Sequence, residues 1–82
     1  MEQNRIDELL KVQEEIKETE YALNYHLARH REALKRISSP TAGLENAIYA
    51  AKEMGETCRI LQSQLEQLKE NEKRLIEKFR KN

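Results

Sequence analysis

Two histidines, His26 and His30, come closest in type and spacing to a metal site. Residues four apart lie on one face of a helix, so both rings could reach one zinc ion. Zinc requires two further ligands, and the lone Cys58, with no clearly placed carboxylate, does not complete the set. We therefore expect no metal site: His30 faces the small Ala51 of a second helix, His26 lies in solvent, and Cys58 is a small core residue.

Catalytic chemistry has no recognisable pattern in this sequence. It contains two glycines and no glycine-rich phosphate loop, and no nucleophile has a neighbouring base and orienting group. A chain of 82 residues is also too short for a concave core that encloses a substrate. We expect a protein that is not an enzyme and has no cofactor.

A basic segment, residues 26–36, could contact phosphate groups. Its charged residues are Arg29, Arg31, Lys35 and Arg36, with Glu32 as the one acid. Fifteen basic and fifteen acidic residues cancel over the whole chain, so no global positive field draws it to nucleic acid. A charge run is also more often a solvated helix face than a binding site. Nucleic-acid binding through these four residues is therefore the alternative function and not the preferred one.

Two heptad seams indicate the elements that position these residues. Side chains, most of them apolar, recur at alternating spacings of three and four, which is typical of packed helices. The first seam contains Ile6, Leu9, Gln13, Ile16, Glu20, Leu23, Leu27, His30, Leu34 and Ile37. The second seam contains Leu44, Ala47, Ala51, Met54, Cys58, Leu61, Leu65, Leu68, Glu72, Leu75 and Phe79. They predict one helix over about residues 4–37 and another over about residues 42–80.

A tight turn at residues 38–41 is predicted between the two helices. Pro40 disfavours helical geometry at Ser39 and suits the first position of a new helix. Ser39 is the expected N-cap of the second helix, with Thr41 as the alternative. Asn4 is the expected cap of the first helix.

Charge decides how the two helices are arranged. Residues 1–24 have a net charge of −4 and residues 58–82 of +3, whereas residues 25–36 are +3 and residues 44–57 are −2. A chain that folds back places each acidic stretch beside a basic one, and facing seam positions then have numbers that add up to 81. One helix bent at Pro40 would leave both seams without a partner inside the chain. We expect an all-α fold in which all 82 residues form one antiparallel two-helix coiled-coil hairpin.

More apolar side chains lie off the seams than one hairpin can cover. They are Leu10, Val12, Tyr21, Tyr25, Ile48, Tyr49, Ile60 and Ile76. Two helices bury only a narrow seam, and a domain this small often needs a second copy or a partner to complete its core. We expect a homodimer of hairpins that forms a four-helix bundle, the alternative being scattered apolar residues without a role.

Binding of a protein partner is the function that these features favour. Small side chains in the first turns of the second helix allow a neighbouring helix to approach closely. Exposed aromatic rings suit an interface that is apolar on one side and faces solvent on the other. The expected partner-binding residues are Leu10, Tyr25, Ile48, Tyr49, Gly55 and Ile76. The protein would act as an adaptor, a regulator, an inhibitor or an assembly component.

The expected location is the cytoplasm. Cys58 has no second cysteine to pair with, which fits a reducing compartment, and the polar residues 1–5 lack the regions of a signal peptide. No apolar run approaches the roughly 20 residues that a membrane span requires, so no membrane association is expected.

Overall fold

Two long helices form the structure. A computed structural model describes residues 2–37 and 43–81, in which helix α1 is Glu2–Ile37 and helix α2 is Leu44–Arg80. The helices pack against each other along their lengths as a hairpin, and the molecule measures 62 × 14 × 13 Å. The prediction of an all-α helical hairpin is confirmed.

Helix α1 begins earlier than the sequence predicts. Its first residue is Glu2, so Asn4 lies inside the first turn and is not the cap. In this turn the Gln3 amide donates a hydrogen bond to the Asp7 carboxylate at 3.1 Å, between residues spaced four apart. The last turn carries Lys35 and Arg36, whose positive charges complement the negative end of the helix dipole.

Helix α2 begins two residues later than predicted, with Gly43 at the N-cap. Gly43 has φ +90°, a left-handed conformation that costs glycine little because it has no Cβ. Its carbonyl accepts the first helical hydrogen bond from the Ala47 amide at 3.0 Å. The predicted turn at residues 38–41, with the predicted caps Ser39 and Thr41, lies outside the described residues.

A narrow apolar seam holds the helices together. The buried residues within the described ranges are 4–8% exposed: Ile16, Ala33, Ala51, Cys58 and Leu75. No side chain there is less than 2% exposed. The ion pairs Glu32–Lys35, at 3.7 Å, and Glu70–Arg74, at 4.0 Å, each join exposed residues of one helix and contribute only a few tenths of a kcal/mol. Apolar contact along this seam is therefore what makes the hairpin.

Helix α1 is rotated relative to the predicted seam. Its buried and half-buried residues at spacings of three and four are Leu9, Val12, Ile16, Thr19, Leu23, His26, His30, Ala33 and Ile37. Every second predicted position is thus correct, but Ile6, Glu20, Leu27 and Leu34 are exposed. For the last three, the preceding residue faces α2 instead. Ala33 is 8% exposed and Leu34 is 50% exposed, so the predicted placement of Leu34 in the seam is wrong. In α2 the predicted seam is confirmed except at Leu44, which is exposed.

The rotation also changes which residues face each other. Facing positions of the two observed seams have residue numbers that add up to 84. A Cβ placed on Gly55 would lie 3.3 Å from Nε2 of His30, so the His30 ring packs on Gly55, one turn beyond the predicted Ala51. His26, expected in solvent, is half-buried in the seam. The physical reason is shape: Gly55 leaves room for an imidazole, and the small Ala33 fits where Leu34 would hold the helices apart.

Candidate interaction surfaces

One side of the hairpin, here called the glycine flank, is defined by the contact of His30 with Gly55. Residues seven apart lie on one stripe of a helix in a coiled coil. The stripe of α1 on this side contains Ile6, Gln13, Glu20, Leu27 and Leu34, and that of α2 contains Ile48, Gly55, Gln62, Lys69 and Ile76. Leu10 borders the α1 stripe and lines a groove with Gln13, Glu20 and Glu72. The glycine flank is therefore built from both helices along the length of the rod.

Large apolar side chains on the glycine flank are exposed to solvent. Ile6, Leu10, Leu27, Leu34 and Ile48 are each 40–57% exposed, and Ile76 is half-buried. The two stripes contain only one acid, Glu20, and one base, Lys69. Large apolar side chains exposed together on one side of a protein are typical of an interface.

The opposite side, here called the tyrosine flank, is defined by Tyr25, Arg29 and Met54. These three residues line two adjoining grooves between the helices. Nη1 of Arg29 donates a hydrogen bond of 2.8 Å to the Tyr25 hydroxyl, and the guanidinium carbon lies 5.6 Å from the centre of that ring. The Tyr25 ring also meets His26 edge to face, with ring centres 5.4 Å apart. Tyr25 therefore holds an exposed arginine at the mouth of a groove.

The six predicted partner-binding residues do not share one surface. Leu10, Ile48, Gly55 and Ile76 lie together on the glycine flank. Tyr25 lies on the tyrosine flank, and Tyr49, one residue beyond Ile48 and 65% exposed, points away from the seam. The structure thus groups four of the six.

The four basic residues of the alternative site divide between two faces of α1. Arg29 and Arg36, seven residues apart, line one groove of the tyrosine flank together with Glu32. Arg31 and Lys35, four residues apart, share a different face, where Lys35 pairs with Glu32 at 3.7 Å. A phosphate backbone lying along one face would meet two of these four charges.

Neither metal chemistry nor a membrane span has support in the described ranges. No group of three or more histidine, cysteine, aspartate or glutamate residues there could hold a metal ion. Cys58 is buried, as the sequence predicts. Neither helix has, among the described residues, an apolar stretch long enough to cross a membrane.

Sequence reasoning missed three apolar residues of the glycine flank, Ile6, Leu27 and Leu34, because it placed them in the seam. The run of small residues in α2 could have corrected the placement of Leu27 and Leu34. It favours packing of α2 against His26, His30 and Ala33. The sequence analysis assigned Met54 to the seam alone and did not predict that it also lines the grooves of the tyrosine flank.

Comparison of the chain with protein-family models, curated proteins and solved structures finds no match. Function is therefore inferred from the two flanks.

The contact between His30 and Gly55 can be measured with a double-mutant cycle. Alanine stabilises a helix by about 1 kcal/mol relative to glycine. In the wild-type chain part of that gain is lost, because the new Cβ requires the His30 ring to move by a few tenths of an ångström. In a His30→Ala background, urea titrations should show that Gly55→Ala raises the free energy of unfolding by about 1 kcal/mol. In the wild-type background the increase should be less than about half as large. Equal gains in both backgrounds would contradict the contact.

Proposed function

We propose that this protein is a non-enzymatic helical interaction protein that self-associates through the glycine flank into a four-helix bundle and binds a protein partner. The observation that carries the proposal is the incomplete core. Five residues are buried in the described ranges, none of them completely, while five large apolar side chains are exposed along one flank. A second hairpin against that flank would give both copies a shared core. The buried, unpaired Cys58 fits action in a reducing compartment such as the cytoplasm.

The exposed area supports association. A compact monomer of 9.7 kDa has an accessible surface of about 5,100 Å². This hairpin exposes 6825 Å², which is about 1,700 Å² more. An interface of standard size covers about 800 Å² on each partner. Pairing through one flank would therefore remove about half of the excess.

A second copy is the occupant that suits the glycine flank. A two-fold symmetric interface brings the same patch of both subunits together, so the patch must be compatible with itself. Apolar residues lie near both ends of this flank, with Ile6 and Leu10 toward one end and Leu34 with Ile48 toward the other. Glu20 and Lys69 carry opposite charges, so the two stripes add no net repulsion between copies.

Self-association predicts that thermal stability depends on protein concentration. Because the dimer is favoured by mass action, the midpoint of a circular dichroism melt should rise over a hundredfold increase in concentration. Sedimentation equilibrium should give a dimer mass at the high end. A constant midpoint together with a monomer mass throughout would refute the proposal.

Matched variants locate the interface. Leu27→Lys puts a charge on the glycine flank twice per dimer and should raise the dimer dissociation constant by about a hundredfold or more. Tyr21→Lys places the same residue on the outer face of α1, where the side chain is 77% exposed, and should leave the constant unchanged. If Tyr21→Lys weakens the dimer as much as Leu27→Lys does, the interface lies elsewhere.

A further inference from the structure

The tyrosine flank remains open when the glycine flank is covered, because the two lie on opposite sides of the seam. Its two adjoining grooves share Tyr25, Arg29 and Met54 and continue along both helices. The other residues that line them are Ala28, Glu32, Ala33 and Arg36 at one end and His26, Ala50, Glu53 and Thr57 at the other. Met54 and the neighbouring alanines form an apolar floor of the groove, and longer side chains form its walls.

Charge is distributed unevenly across this groove. The α1 wall has two arginines, Arg29 and Arg36, and the acid between them, Glu32, is paired with Lys35. The α2 wall has Glu53. Acidic side chains of a partner would therefore be attracted to the α1 wall and repelled by the α2 wall. A complementary partner would therefore have negative charges on the edge that faces α1.

The Arg29 guanidinium is already oriented in the unbound chain by its contact with Tyr25. Its hydrogen bond to the Tyr25 hydroxyl is 2.8 Å long and favours one orientation of the exposed side chain. An arginine held in place loses less conformational entropy when it binds a carboxylate, which its planar guanidinium can contact with two hydrogen bonds. Arg36 follows seven residues later, which is about 10.5 Å along the helix.

We propose that this groove binds an amphipathic helix of a partner protein, with its apolar stripe on Met54 and the alanines and with carboxylates seven residues apart on Arg29 and Arg36. A helix alongside α1 repeats with the same rise, so acids at that spacing meet both arginines. The inference rests on the proposed function, because it names the kind of protein partner. It does not require the dimer, since the site lies on the other flank.

The test measures fluorescence anisotropy of labelled peptides with the full chain. Two 21-residue helical peptides share one leucine stripe and differ only in having glutamate or lysine along one edge at seven-residue spacing. The glutamate peptide should bind with a dissociation constant in the micromolar range, at least about tenfold tighter than the lysine peptide. Equal affinities, or no binding of either peptide at about 100 µM, would overturn the proposal.

Charge-matched variants make the test specific. Arg29→Gln with Arg36→Gln should abolish the preference for the glutamate peptide. Arg31→Gln with Arg5→Gln removes the same charge from α1 outside the groove and should preserve the preference. Loss of the preference in both variants would mean a general field effect and would overturn the site. Tighter binding of a single-stranded oligonucleotide, removed by Arg29→Gln with Arg36→Gln, would also overturn it, in favour of nucleic acid. Sedimentation in the same buffer reports the dimer separately, so failure of the self-association proposal is distinguishable.

Discussion

Leu75→Ala is expected to lower the free energy of unfolding by roughly 2–5 kcal/mol. Leu75 is 8% exposed and lies in the seam at the level of Leu9, so its truncation leaves a void between the helices. Total stability of a small domain is only about 5–15 kcal/mol, so this single change would remove a large fraction of it. Urea titrations followed by circular dichroism measure the loss.

Leu10→Ala is the matched control for Leu75→Ala. It makes the same chemical change at a site that is 57% exposed, and the expected loss is below about 1 kcal/mol. Leu10 borders the proposed dimer interface, so both titrations belong at a dilution at which the chain sediments as a monomer. A larger loss for Leu10→Ala than for Leu75→Ala would contradict the seam in α2.

Changing the side-chain size at residues 33 and 34 should distinguish the predicted orientation of α1 from the observed one. Ala33→Leu forces three extra carbons against α2 and should cost roughly 1–3 kcal/mol. Leu34→Ala removes a half-exposed side chain and should cost less than about 1 kcal/mol in the monomer. If Leu34 occupied the seam, as the heptad pattern alone predicts, the ranking would be reversed. Denaturant titrations of both variants decide between the two orientations.

Periodicity was sufficient to predict the class of fold and most of the α2 seam. In α2 one apolar stripe stands out, because Leu61, Leu65 and Leu68 alternate with polar residues. Helix α1 has two overlapping stripes, one through Leu27 and Leu34 and one through His26 and Ala33. Hydrophobicity ranks the leucines first, but the shape of α2 decides which stripe fits. A single helix does not contain that information, and the orientation was therefore wrong.

The candidate surfaces were predictable to a different extent. The contact between Tyr25 and Arg29 follows from their spacing of four on a helix. The grouping of Leu10, Ile48, Gly55 and Ile76 depends on the rotation of α1 and on the pairing of the two helices. An error of one residue in the seam placed Leu27 and Leu34 in the core, so the predicted surface lacked two of its leucines.

Chain entropy favours one order of assembly of the hairpin, because facing residues differ widely in their separation along the chain. Ile37 and Ala47 are ten residues apart, whereas Leu9 and Leu75, at the other end of the rod, are 66 apart. Closing the longer loop first would cost about 1.7 kcal/mol more in chain entropy than closing the shorter one. Pairing that starts beside residues 37 and 47 and proceeds one helical turn at a time adds little entropy cost at each step, as in a zipper.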